Sequence, residues 1–238
     1  MNIFLDIETL PGRSDLLMDS LRADADKEKA AARAPSNYKD EAKIAEYIAA
    51  RHAEIDASME DKRLKTSFDG MFGSIACIAY AVDDEQVASE NALSDGGEAA
   101  MLERLYTSLA SYTSTEYQGG MASMDAVFIG HNIADFDLQF LKHRSIILSV
   151  RPPPALAKAM AAKPWDKCIA DTMLMWSPSR EKRVGLDKLC RVLGVPGKGE
   201  FDGSMVAETW PVDPQKVIDY CNGDVERVRA IYRRMTFS

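Results

Sequence analysis

The stretch Asn2-Ile3-Phe4-Leu5-Asp6-Ile7-Glu8-Thr9 decides how the rest of the chain is read. It is short and apolar, and Pro11 and Gly12 follow it, which predicts a strand rather than a helix. Side chains two apart on a strand share a face, so Asp6 and Glu8 point the same way. Two carboxylates on one face of an apolar strand repel each other and resist desolvation. A hard divalent cation between them, Mg²⁺ or Mn²⁺, would remove both difficulties. A strand that simply ends in solvent with two hydrated acids is the competing account, and the other carboxylates of the chain decide between the two.

The chain has 238 residues, enough for one sizeable α/β domain. Its 46% hydrophobic and 28% charged content is that of an ordinary soluble globular protein. There is no apolar run long enough to cross a membrane and no basic segment ahead of an apolar core, so a cytoplasmic protein without a secretory signal is expected. Cys77, Cys168, Cys190 and Cys221 lie far apart in apolar surroundings and read as core residues of a reducing compartment. A net charge of −8 argues against coating nucleic acid by charge alone. It does not exclude a nuclease, because acids that hold metal count as negative in that sum.

Residues 13–70 interrupt the strand pattern. From about Asp40 to Leu64, Ile44, Tyr47, Ile48, Ile55 and Met59 recur near helical spacing, which predicts a long helix after a shorter one. This helical insertion is either a solvated flank of the domain or a cover over its cleft. Strand signals resume at Gly73–Val82, with a possible return strand at Gln86–Asn91 beyond Asp83-Asp84-Glu85. A helix is expected over 97–112, a polar loop over Thr113–Ser123, and a strand over Asp125–Gly130. Arg151-Pro152-Pro153-Pro154 breaks the chain, Cys168–Asp171 is a short strand, and helices follow near 172–176, 185–193 and 214–235. The expected fold class is α/β: one domain over 1–238, a mixed sheet flanked by helices, interrupted by the insertion.

Two further acids stand where apolar residues belong. The helix after Gly130 is expected to begin near Ala134 or Asp135, with Ile133, Phe136, Phe140, Leu141, Ile147 and Leu148 inward, and Asp137 falls on that stripe. Either Arg144 or Lys142 satisfies it, or a cation does. In the last helix, capped by Asp213 with Pro214 at its first position, Asp224 lies between Cys221 and Val228 on the apolar stripe. Tyr220 is one turn earlier, beside it. Acids from three segments, Asp6 and Glu8, Asp137, and Asp224, suit two Mg²⁺ or Mn²⁺ ions, with Tyr220 orienting the attacking water of an in-line displacement on phosphorus.

These residues resemble the motifs of the DEDD exonuclease superfamily, which has a ribonuclease-H-like fold. Asp6-Ile7-Glu8-Thr9 resembles its first motif. Gly130-His131-Asn132-Ile133-Ala134-Asp135-Phe136-Asp137 resembles the second motif of family B DNA polymerase proofreading domains. Tyr220-Cys221-Asn222-Gly223-Asp224 is similar to the third motif in its tyrosine form. The sister class has a histidine where Asp219 stands here. Leu186–Gly194 resembles the helix between the second and third motifs, and Asp171-Thr172 resembles a strand-end pair that is not a primary ligand. The resemblance extends to stand-alone polymerase-B-like 3′–5′ exonucleases frequent in phages and prophages.

It implies that Asp6, Glu8 and Asp224 hold one metal ion, that Asp6 is shared with a second, and that Asp137 serves the second directly or through water. It implies further that the Thr9 backbone and Leu10 receive the terminal nucleotide, Leu10 by wedging against a base, while Asn132 and Phe136 either contact its sugar or base in the same cleft or are ordinary helix-entry and core residues. His131 is expected to be structural, and His52 and His143 to lie at the surface. Arg180, Lys182, Arg183, Lys198 and the Arg227/Arg229/Arg233/Arg234 group are either phosphate contacts or a solvated face. The expected activity is release of nucleoside monophosphates from 3′ ends of single-stranded DNA. Trimming of RNA 3′ ends is the alternative, and a non-catalytic nucleic-acid-binding module a more distant one.

Overall fold

The computed structural model describes residues 1–117 and 120–238, and describes 115–117, 120–123 and Arg180 by their backbone alone. Two compact units emerge: Met1–Leu10 with Ser74–Ser238, and Pro11–Gly73.

The larger unit is built on strand β1 (Asn2–Leu10). After the smaller unit, in which α1 (Asp15–Ala31) and α2 (Glu41–Leu64) lie, the chain continues through β2 (Ser74–Val82), β3 (Ala88–Asn91) and α3 (Gly97–Thr113). Next come β4 (Ser114–Tyr117), β5 (Gly120–Ser123), β6 (Val127–Gly130), α4 (Asp137–Leu148) and α5 (Pro154–Ala161). The final elements are β7 (Ile169–Asp171), α6 (Thr172–Trp176), α7 (Leu186–Leu193), α8 (Val206–Thr209) and α9 (Pro214–Thr236). The five-stranded sheet has the order β3-β2-β1-β6-β7. β1 pairs antiparallel with β2 and parallel with β6, so the sheet is mixed, as the sequence predicts.

Period-two alternation along β1 sorts its side chains between two layers. Ile3, Leu5 and Ile7 join the core made with α3, α4 and α5. Phe4 joins the core made with α7, α8 and α9, and Asp6 and Glu8 share its face. α9 packs on that face through Val217, Cys221, Val225 and Val228, all without solvent exposure. Asp213 accepts from the main-chain N–H of Lys216 and Pro214 fills the first helical position, so the cap read from sequence is the one that forms.

Four local readings of the larger unit change. Thr113–Ser123 is not a loop throughout: β4 and β5 pair antiparallel, and Gln118 and Gly119 lie outside the described residues. Pro154 does not break the chain but starts α5, since proline is accommodated at a first helical position. α4 begins at Asp137, because residues 131–136 form a turn in which Asn132 is left-handed (φ 69°). Ile147 is half exposed rather than inward, the stripe being carried by Leu138, Phe140 and Leu141.

Within the smaller unit, Ser14 and Asp40 cap the two helices by accepting from the N–H groups of Leu17 and Ala42. His52 is half-buried rather than superficial, its Nε2 donating to the Lys29 carbonyl (3.1 Å). Lys62 pairs with Glu28 at 2.6 Å, and Lys29 with Asp56. Of the predicted α2 stripe only Ile55 is fully buried, while Tyr38 and Tyr47 meet edge-on at 5.7 Å.

Candidate active site

Asp6, Glu8 and Asp224 each offer a carboxylate oxygen, and these oxygens lie within 4.8 Å of one another. β1 supplies the first two from one face. α9 supplies the third from a stripe that is otherwise apolar, and only 3% of Asp224 is exposed. Burial, followed by the nearby Asp224 charge, pushes the Asp6 carboxyl well above the usual range. The same two causes raise Glu8 to about 8. Cys221 lies against the pair, its Sγ 3.5 Å from both the main-chain oxygen and Oδ2 of Asp6.

Asp137 approaches from the other side of β1. β6 pairs with β1 only as far as Phe4, so further along β1 the strand edge is not covered by β6. The first turn of α4 meets it there: Ile7 N–H donates to Asp137 Oδ1 at 3.2 Å. Arg144 forms a two-pronged pair with Glu98, at 2.9 and 2.8 Å. Burial raises Asp137 to about 7, against the lowering effect of main-chain N–H donors.

A cation that the sequence placed only in a general basic group sits in the cluster. Lys198 pairs with Asp224 and donates to Tyr220 Oη at 2.7 Å. Burial alone would lower the Lys198 ammonium, but Asp224 and Tyr220 hold it above its ordinary value. Burial and Asp224 push the Tyr220 phenol up. Arg227, one turn along α9, donates to the other Asp224 oxygen at 2.8 Å. The helical spacing of Arg227 from Asp224 was a readable signal. Lys198 lies 26 residues from Asp224 in a loop, and only the fold brings it there. Asp219 is exposed and accepts from Gln215 at 2.8 Å.

Asp171 organises the second motif. It is 3% exposed, and its carboxylate accepts main-chain N–H groups from Asn132 (3.0 Å), Ala134 (3.2 Å), Met173 (3.0 Å) and Leu174 (3.4 Å). Gly130 is required beside it: a Cβ there would stand 2.6 Å from Ile133 and 3.0 Å from the Leu5 carbonyl. His131 donates from Nε2 to the Val184 carbonyl (2.9 Å) and its Nδ1 meets the Thr172 hydroxyl (2.9 Å), as suits a structural residue. Asn132 accepts from Arg183 at 3.3 Å, and Phe136 packs on Phe140. Thr9 and Leu10 are half-buried at the end of β1, beyond a register shift after Glu8. His143 is exposed, Arg229 pairs with Glu226 (2.6 Å) and Arg233 with Asp84.

Residues 71–238 match the model of a family described as predicted 3′-5′ exonuclease related to the exonuclease domain of PolB. The chain belongs to this family. It is thus a PolB-like 3′–5′ exonuclease, within the DEDD superfamily that its motifs resemble. Among solved structures it is similar to the family B DNA polymerase from the hyperthermophilic archaeon Pyrobaculum calidifontis. The identity is 14% and the TM-score 0.55, over 98% of this chain and 24% of the polymerase. At that identity the likeness shows the fold, the ribonuclease-H-like sheet of a polymerase exonuclease domain, and the chain spans about a quarter of the polymerase's length. No curated protein matches the chain. Among the described residues no helix is long and apolar enough to cross a membrane.

Proposed function

We propose that this PolB-like exonuclease releases nucleoside monophosphates from the 3′ ends of single-stranded DNA, with two Mg²⁺ or Mn²⁺ ions and with the residues of the tyrosine class. The observation that carries the reading is the convergence of the Asp6, Glu8 and Asp224 carboxylates within 4.8 Å. Their oxygens form a hard donor set, and the raised carboxyls of Asp6 and Glu8 mark a place short of positive charge, so the residues fit divalent cations. When bound, such cations supply Lewis acidity for the attacking water and charge for the leaving oxygen.

In this reading Asp6, Glu8 and Asp224 hold the ion on the nucleophile side, Asp6 is shared with the second, and Asp137 serves that second ion directly or through water. Tyr220 Oη orients the attacking water, and Lys198, donating to that oxygen, fixes the phenol beside Asp224. Thr9, Leu10, Asn132 and Phe136 receive the terminal nucleotide. Asp171 keeps the turn that carries Asn132 and Phe136 in place through its four main-chain partners. Labelled DNA and RNA oligonucleotides of one sequence, blocked at either end and incubated with Mn²⁺, test the substrate and the polarity. Stepwise shortening of DNA from its free 3′ end is expected. Equal or faster shortening of RNA would reverse the preference for DNA, and no shortening of either would end the proposal.

A further inference from the structure

A large aromatic side chain next to the second motif is left in water. Trp165 is 77% exposed, although a residue of this size ordinarily buries most of its surface. It does not stand alone. With Pro164, Pro178 and Leu174 it walls a shallow cavity of about 380 Å³, whose polar side is Asp135 and Arg183. Two prolines restrict the backbone of the wall, so it is a stiff surface. The Lys163 ammonium lies 5.5 Å from the centre of the indole ring.

The cavity is tied to the candidate active site by covalent and hydrogen-bonded links. Asp135 belongs to the turn of the second motif, two residues before Asp137, whose carboxylate caps the β1 edge. Arg183 donates to Asn132 in that turn and pairs with Asp135, so Asp135 offsets part of its charge. Charge alone therefore does not make this a phosphate site. A flat apolar wall with a cation at its face and few polar atoms aimed inward is suited to a planar heterocycle. It lacks the array of donors and acceptors that reading a particular base would need.

Resting on the single-stranded DNA reading above, we infer that Trp165 is a stacking platform for a base of the strand upstream of the 3′-terminal nucleotide, with the Lys163 ammonium exchanging its place over the indole ring for a phosphate of the same strand. Stacking of this kind is sequence-tolerant, because every base has a flat face.

The test compares the intact protein with Trp165→Ala and Trp165→Phe variants, using dT oligonucleotides. Trp165→Ala is expected to raise KM about tenfold, the size usual for loss of one base–aromatic stack, with a smaller change in kcat. Trp165→Phe should keep most of the affinity. Indole fluorescence is read in parallel with Ca²⁺ in place of Mn²⁺: oligonucleotide should quench the wild-type signal, and the Phe variant should lose that quenching while still binding. An unchanged KM in Trp165→Ala, or equal quenching in wild type and Trp165→Phe, would overturn the platform while leaving the nuclease reading intact. Quenching centred on Trp165 without any nucleotide release by the wild type would support the platform and end the nuclease reading.

Discussion

Asp171 and the Asp6–Glu8 pair are acids of one sheet, and their surroundings could hardly differ more. Asp171 closes a turn: four main-chain N–H groups donate to it, so its negative charge is met by fixed dipoles. Asp6 and Glu8 face Asp224 instead, and burial with mutual repulsion drives their carboxyls upward. In the proposed reading, the difference separates a buried acid that serves the fold from one that serves a bound cation. The former is finished by the chain's own amides, while the latter is left asking for a charge the chain does not fully supply.

The largest expected effect breaks the second group. Asp6→Ala or Asp224→Ala should lower Mn²⁺-dependent nucleotide release by on the order of 10³-fold, as loss of a main electrostatic group in a reaction centre does. Timed product release on labelled DNA measures it, and undiminished release from both variants would remove these acids from catalysis. Asp171→Ala should act on the fold first. It strands several buried N–H groups and should destabilise by about 3 kcal/mol in denaturant unfolding. A variant as stable as the wild type would mean that the turn does not depend on those bonds. Tyr220→Phe removes the hydroxyl proposed to orient the attacking water and should cost about 100-fold in kcat, the lower end of what a positioned proton-handling group contributes.

The smallest effect is a pH dependence of stability that arises in the acid cluster. Glu8 near 8 and Asp137 near 7 take up protons in the folded state that the unfolded chain has already released. Between about pH 4 and pH 8 the native state therefore binds more protons, and without divalent cations stability should fall as pH rises through that window. Calorimetry in EDTA should show this decline, flattened in Glu8→Gln and by added Mn²⁺. A midpoint that rises with pH across the window would contradict the assignment of these carboxyls.

The β1 acids, the second motif and the α9 motif were legible because each rests on local periodicity: two residues on a strand, three or four on a helix. Asp224 stood out from sequence as a charge on an apolar stripe, and it is buried there. What was not legible depends on distant chain. Lys198 reaches Asp224 from a loop without regular pattern, and the four donors of Asp171 converge from two segments. The β4–β5 pair is not legible because Ser114–Tyr117 and Gly120–Ser123 show little apolar alternation and, among the described residues, pair with each other apart from the main sheet. The α4 start was misplaced because a left-handed Asn132, which no periodicity announces, delays it to Asp137.

The packing of α9 has a consequence for how the protein can vary. One residue of slippage would turn Asp224 by about 100° around the helix axis, away from the strand that carries its two companions. Val217, Cys221, Val225 and Val228, gripped on every side, act as the teeth that forbid this rotation. Trimming any of them should blur the aim of a carboxylate before it melts the molecule, so nuclease output would be the more sensitive gauge of damage in that seam.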